Sequence, residues 1–432
     1  MPEMGLTFES SGLLWTLPFV GMLLSIAVLP AVFPHFWHAH HGKVATVWAA
    51  AFLVPFASLM GWERAFHAIM QTVLLEYLPF VILLLALYTV TGGLHIQGRL
   101  RGSPAVNTGI LAFGAAIASV MGTTGAAMLL IRPLLRANER RRHRAHLVLF
   151  FIFLVGNIGG ALSPLGDPPL FLGFLHGVDF LWPLRALAAP TLLASVLLLI
   201  LFYGVDSAMV RRAESLLPER EAVQSQALGL EGRINLALLA LVLGAVLLSG
   251  VWKPGVSFSI QGVVVEAQNL LRDALLLLAT GASLKWTAPH ARHGNGFTWG
   301  PMAEVAKLFA GIFLTIVPVL AMIQGEAAAT MTGIMTPLHY FWLTGLLSAF
   351  LDNAPTYLVF FNMGGHNPHV LTAISAGAVF MGALTYVGNA PNFMVKAIAE
   401  HRHVAMPGFF AYMGWSCLIL LPVFSLEAWI FF

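Results

Sequence analysis

The chain has 432 residues, 58% hydrophobic and 9% charged, where soluble domains run at about half apolar and about a quarter charged. So little charge cannot wet a 46.6 kDa globule, and the apolar residues fall in runs long enough to cross a bilayer, so a soluble fold is excluded and a polytopic membrane protein is expected. A single cysteine, Cys417, excludes an internal disulfide and a cysteine-built metal cluster. The net charge of +3 sits in loops that flank apolar runs, which reads as topology and not as nucleic-acid binding.

The first residues carry Glu3 and Glu9 and no Lys or Arg before Lys43, so the basic region of a cleavable signal peptide is missing and the first span is expected to stay. At about 20 residues per crossing, spans are expected near 12–33, 44–60, 74–92, 146–176, 186–204, 234–250, 266–284, 307–324, 370–399 and 409–431. Between the first two, His35, His38, His40 and His41 match neither one helical face nor a zinc-ligand spacing, and the segment is expected to be a loop. Two further apolar stretches are interrupted: 105–135 by MGTTGAA and 337–364 by LDNAPT. Each is too short on either side of its break to cross twice, so each is expected to be a re-entrant helical hairpin. The spans 146–176 and 370–399 are broken as well, by SPLGDPP and TYVGNAPN.

Loop cations give an orientation. If the first hairpin opens toward RANERRRHRAH (136–146), the cytoplasm receives 18 of the 22 Lys and Arg and the outside only Arg64, Arg185, Lys253 and Arg272. Both termini then lie outside an inner (plasma) membrane, and the charged linker 205–233 lies in the cytoplasm between two halves. Those halves match: the run Gly160-Ala161-Leu162-Ser163-Pro164-Leu165-Gly166-Asp167 aligns with Gly382-Ala383-Leu384-Thr385-Tyr386-Val387-Gly388-Asn389 at an offset of 222 residues. The first hairpin opens inward and the second outward, so the repeats are inverted, a transporter signature whose broken segments point to the binding site. The expected organisation is an all-α membrane protein of about ten spans plus two hairpins. Its parts are a first span and loop (1–43), repeat one (44–204), a linker and connecting helix (205–265) and repeat two (266–432).

The two hairpins, the Gly-Asp-Pro-Pro break after Ser163-Pro164 and the Leu-Asp-Asn-Ala-Pro-Thr tip together resemble the ion transporter superfamily, which holds NhaD-type sodium/proton antiporters and citrate-transporter-like proteins. The resemblance covers nearly the whole chain from the second span onward. It implies a homodimer with a fixed scaffold, and a mobile domain of hairpins and broken helices that moves like an elevator. One departure stands out. NhaD-type proteins carry an Asp-Asn pair in the first hairpin too, where this chain has the neutral run Gly122-Thr123-Thr124-Gly125.

Half-helices that begin or end inside the membrane expose N–H or carbonyl groups, so the backbone alone permits a cation site or an anion site and the side chains decide. Asp352 and Asp167 decide for a cation. An intramembrane carboxylate is a functional hypothesis by default, and one that alternately holds a proton and a metal ion is the minimum for exchange; the competing reading is that each Asp caps its half-helix ahead of Pro168 and Pro169 or of Pro355. Around them, Asn353, Asn389, Thr356, Ser163, Thr123, Thr124, Asn157, Thr385 and Asn392 are candidate ligands or supports. Gly122, Gly125, Gly166 and Gly388, with Pro168, Pro355 and Pro391, shape the breaks. Lys396 and Arg132 either snorkel or neutralise a carboxylate, and Glu76, Glu266, Asp273, Arg272 and Glu326 are expected at span ends.

With no phosphate-binding loop and no oriented nucleophile, the expected activity is secondary transport and not catalysis. Sodium or lithium, bound at Asp352 and Asp167, would exchange for protons. The alternative is citrate or dicarboxylate uptake coupled to sodium or protons. No cofactor beyond the transported ions and no nucleic-acid partner is expected; the partners are the bilayer, the small ion and a second copy of the chain.

Overall fold

The structure, a computed structural model, describes residues 12–214, 226–323, 335–365 and 367–432. Glu326, one of the span-end acids, lies outside the described residues. After a short 3-10 turn come α1 (Leu17–Val32), α2 (Pro34–Met60), α3 (Trp62–Thr72), a π-helical turn (Val73–Tyr77) and α4 (Leu78–Gly92). The segment around His35–Lys43 is therefore the first turns of α2 and not a loop. His40 and His41 each return one ring nitrogen, Nδ1, to the helix's own carbonyls at Phe36 and Trp37, both at 3.2 Å.

The first hairpin is α5 (Pro104–Met121) and α6 (Thr123–Ala137), parted only by Gly122. Ser103 caps α5 by accepting from the Val106 N–H at 3.2 Å, and Pro104 fits the first helical position. The first broken span follows as α7 (Ala145–Leu154), a 3-10 turn (Ile158–Leu162) and α8 (Pro168–Leu175); α9 (Trp182–Glu214) closes this half. Asp206 on α9 is fully buried and binds its surroundings together. It accepts from Asn107 of α5 and His146 of α7, each at 2.9 Å, and pairs with Arg141, while Asn107 and Asn138 exchange two hydrogen bonds.

The second half holds α10 (Ile234–Val251), α11 (Ala267–Trp286), the short α12 (Pro289–Gly294), and the pair α13 (Gly300–Thr315) and α14 (Val317–Ile323), bent by 42°. Its hairpin is α15 (Pro337–Leu351) and α16 (Asn353–Gly364), parted by Asp352. The second broken span is α17 (Pro368–Met381), a 3-10 turn (Gly382–Leu384) and α18 (Ala390–His401), and α19 (Phe409–Phe431) ends the chain. Among the described residues seven helices are long and apolar enough to cross a membrane, eight with the bent pair, beside two shorter apolar helices (Leu14–Pro30 and Pro368–Leu384). The seven include Pro104–Met121, so the first arm of the first hairpin is longer than the sequence led one to expect. The chain is an all-α polytopic membrane protein.

Two small antiparallel ribbons interrupt that description. β1 (His95–Arg99) pairs with β2 (Gln226–Glu231), so the end of the polar linker is tied to the loop before the first hairpin. β3 (Ser257–Ile260) and β4 (Val263–Glu266) form a hairpin around Gln261-Gly262, both at positive φ (51° and 83°), as a tight two-residue turn demands.

The two halves repeat their local bonding. Ser163 donates its hydroxyl to the Ser119 carbonyl, and Thr385, aligned with Ser163, donates to the Ala349 carbonyl at 2.5 Å. In turn the Leu165 N–H binds Ser163 Oγ and the Val387 N–H binds Thr385 Oγ1, both at 3.1 Å. A Cβ on Gly166 would fall against the Gly160 carbonyl oxygen, and one on Gly388 would lie 2.6 Å from that of Gly382. Glycine is required at both breaks because backbone meets backbone. The hairpin tips match in conformation too: Gly122 has φ 79° and ψ 149°, Asp352 φ 73° and ψ 144°. The non-glycine residue carries the strain of that region, about 1–3 kcal/mol.

Candidate ion-binding site

Four chain breaks meet around Asp167, whose side chain is 1% exposed. Asp167 stands at the N-cap position of α8 with no side-chain cap hydrogen bond, so capping does not account for it. Its carboxylate instead accepts from three side chains on three other elements. One oxygen takes Thr123 Oγ1 of α6 at 3.2 Å and Asn389 Nδ2 before α18 at 2.9 Å, and the other takes Asn353 Nδ2 of α16 at 2.5 Å. Thr123 and Asn353 are the residues that follow the two hairpin tips, so both hairpins reach the same carboxylate. The Thr123 N–H also binds the Gly166 carbonyl at 2.9 Å, fixing the first tip to the break that carries Asp167.

Behind this shell an amide relay orients the donors. Asn157 Oδ1 accepts from Asn389 at 3.2 Å, Asn157 donates to Asn392 Oδ1 at 2.8 Å, and Asn392 donates to the carbonyls of Gly382 and Thr385, both at 2.9 Å. All three are at most 1% exposed. Asn157 and Asn392 thus support the carboxylate's donors and do not touch it. Ser163, Thr385 and Thr356 turn inward on the backbone, Thr356 Oγ1 onto the Asp352 carbonyl at 2.8 Å; their hydroxyls hold the breaks and are not aimed at a carboxylate. Gly125 faces Thr91, where a Cβ would sit 2.7 Å from the methyl, so it serves close packing of α6 on α4.

Asp352 and Asp167 line one cavity of about 100 Å³, with Gly122, Thr123, Thr124, Gly166, Pro168, Asn389 and Pro391. The opposite wall is apolar, built from α4 (Phe80, Leu83, Leu84, Leu87, Tyr88) and α13 (Met302, Val305, Phe309). Asp352 is half-buried; its carboxylate lies over the N–H groups of Asn353 and Ala354 but makes no cap hydrogen bond. No Lys, Arg or His lines the cavity, and neither carboxylate forms an ion pair among the described residues. Lys396, a candidate neutraliser in the sequence, instead pairs with Glu400 at 3.1 Å and lies over the Tyr386 ring.

The donor set fits a small hard cation. Asn353 Oδ1 is buried with no hydrogen-bond partner while its amide nitrogen binds Asp167. An orphan amide oxygen beside two carboxylates is an open ligand position for an ion that prefers oxygen. No group of three or more His, Cys, Asp or Glu side chains gathers anywhere among the described residues, so a transition-metal centre has no support there.

The sequence reading passed over Glu427, which is fully buried in α19 with both carboxylate oxygens unpartnered. It is the one charged residue of that helix, so counting charges span by span finds it. Arg272, expected at a span end, is 1% exposed; it pairs with Asp273 at 2.8 Å and lies over the Phe171 ring.

Comparison with known proteins agrees with a membrane transporter. The chain is 26% identical over 333 residues to the "46 kDa membrane protein" of Mycobacterium leprae (strain TN), a match covering 70% of this chain and 71% of that protein. A family described as "Putative citrate transport" matches residues 8–432, and the chain belongs to that family.

Proposed function

We propose that this transporter exchanges sodium or lithium for protons by alternating access, with Asp167 and Asp352 as the groups that cation and proton share. The observation that carries the reading is a cavity lined by two carboxylates and no cationic side chain, with the unpartnered amide oxygen of Asn353 buried behind it, next to Asp352 in the chain and bonded through its nitrogen to Asp167. A single charge buried there is costly without a counter-ion. A proton or a metal ion supplies one, and each must leave for the other to bind. Rotation of the Asn353 amide would trade its donor on Asp167 for its free oxygen, loading the site for a metal. The matched hydrogen bonds at the two breaks support inverted repeats. The apolar face of α4 and α13 opposite the carboxylates supports a fixed scaffold against which the hairpins and broken helices move; a homodimer, with the arginine-rich side in the cytoplasm of an inner membrane, belongs to the same proposal. The test is reconstitution: adding sodium to vesicles that carry a pH dye should drive proton movement, and Asp352→Asn should abolish it.

The family description favours a second reading, citrate carried with cations. A polycarboxylate entering this cavity meets two carboxylates and no compensating cation, so it would have to arrive with its charge neutralised by protons or bound metal. Uptake of radiolabelled citrate into the same vesicles, with and without sodium, separates the two.

A further inference from the structure

Two helices lead away from the carboxylates side by side, α6 and α18. On α6, Thr124, Met128, Arg132 and Arg136 recur every four residues and share one face, descending about 6 Å per step. On α18, Ala390, Met394, Ile398 and, at its end, Arg402 do the same. The first residue of each stripe lines the cavity. The second of each, Met128 and Met394, joins Tyr88, Met302 and Phe297 in a separate apolar cluster that plugs the cavity on this side.

Beyond the plug the chemistry changes sign. Arg132 and Arg136 lie within electrostatic reach of Arg402. Arg144, at the start of α7, donates to the His403 carbonyl at 3.0 Å and so holds the turn that carries Arg402. Among the described residues none of the four forms an ion pair, and nearby carboxylates are taken: Glu139 by Arg99 at 2.9 Å, Glu400 by Lys396 at 3.1 Å, Glu231 by His290 at 2.9 Å. Arg132 Nη1, Arg136 Nε and Arg144 Nε are buried donors with no hydrogen-bond partner. Arg136 Nη2 reaches the Ile96 carbonyl and Arg144 Nη2 that of His403, so these guanidiniums are held in place, but their remaining buried donors, at one mouth and mutually repelling, lack an acceptor that the described residues do not supply.

We propose that Arg132, Arg136, Arg144 and Arg402 form an oxyanion site at this mouth, about two helical turns from the carboxylate site and separated from it by the methionine plug. The guanidinium fork matches the paired oxygens of a phosphate or carboxylate group. The ligand comes either from solution or from the headgroup of an anionic lipid.

The test is the thermal unfolding midpoint of the full-length protein in neutral detergent, with three probes: inorganic phosphate, citrate, and phosphatidylglycerol against phosphatidylcholine, all at matched ionic strength. The site predicts a saturable rise in the midpoint with at least one probe. Arg132→Gln and Arg402→Gln should each weaken the half-saturating concentration at least tenfold; the exposed Arg402 makes that variant the one least able to harm the fold. Arg64→Gln, at the start of α3, should leave it unchanged. A response to the soluble probes alone assigns a ligand from solution, and a response to phosphatidylglycerol alone assigns a lipid headgroup. No rise with any probe, or an equal rise in Arg402→Gln, overturns the proposal. The readout is independent of ion exchange, so Asp352→Asn should keep the full response whether or not the proposed exchange holds.

Discussion

Replacing Asp167 with alanine should destabilise the protein while asparagine leaves its stability close to that of the wild type, and both should give the same result on transport. Three buried side-chain donors converge on this carboxylate. Alanine leaves Thr123 Oγ1 and Asn353 Nδ2 without this acceptor, while Asn389 keeps the Gly156 carbonyl and Asn157 Oδ1, each at 3.2 Å; at about 1–3 kcal/mol for each unsatisfied buried group the loss is about 2–6 kcal/mol. Asparagine keeps one oxygen for Thr123 and Asn389 but turns an NH2 toward Asn353 Nδ2. That clash resolves if Asn353 flips and offers the Oδ1 that is now unpartnered. The variant then loses charge-assisted strength in its hydrogen bonds but also loses a buried unpaired charge, and the two changes largely offset. Thermal unfolding in detergent should therefore rank the wild type and Asp167→Asn close together and Asp167→Ala far below, with no sodium-driven proton flux from either variant. Equal midpoints for the two variants, or exchange by Asp167→Asn, would refute the reasoning about this carboxylate.

Further expectations follow from single features. At Asp352, whose φ is 73°, Asp352→Gly should be more stable than Asp352→Ala by about 1–2 kcal/mol, since only the alanine keeps the left-handed penalty, and neither should exchange; equal midpoints would remove the strain. Gly166→Ala forces a Cβ onto the Gly160 carbonyl and should lower stability by about 1–3 kcal/mol or more, read as a lost monodisperse peak in size exclusion. Asp206→Ala strips Arg141, His146 and Asn107 of their common acceptor and should cost about 3–5 kcal/mol; an unchanged midpoint would show that the cluster does not tie the hairpin to α9. Sodium at ten times its Kd should stabilise the wild type by about 1.4 kcal/mol and leave Asp167→Asn and Asp352→Asn unmoved; equal stabilisation of all three would put the ion elsewhere.

The breaks were legible because Gly, Pro, Asp and Asn interrupt otherwise apolar runs, and only buried or cavity-lining backbone tolerates that in a membrane. Hence 121–127, 163–169, 351–356 and 385–392 could be found from residue types alone. Hydroxyl direction was not legible. Ser163 and Thr356 each sit four residues from a carboxylate in sequence and Thr385 four from Asn389, yet Ser163 and Thr385 bond carbonyls in the last turns of the hairpin helices and Thr356 bonds its own helix four residues back, a choice made by backbone geometry. Composition also misjudged the start of α2. Four histidines between two spans suggested a loop, whereas Pro34 opens a helix there and His40 and His41 each turn one ring nitrogen back onto its carbonyls. The pairing of β1 with β2 joins residues about 130 apart and depends on where the helices deliver the two loops, which no local pattern encodes. The convergence of both hairpin tips on one carboxylate belongs to the same class. The offset of 222 residues predicts that Asp167 and Asn389 are equivalent, but their direct hydrogen bond appears only in three dimensions.

The most direct test of the central claim is the proton flux across vesicles containing the purified protein when sodium is added on one side. The account predicts sodium- and lithium-dependent proton movement between pH 6 and 9 that potassium does not support and that Asp352→Asn and Asp167→Asn abolish. No flux at any pH in that range, or undiminished flux in both variants, would contradict it.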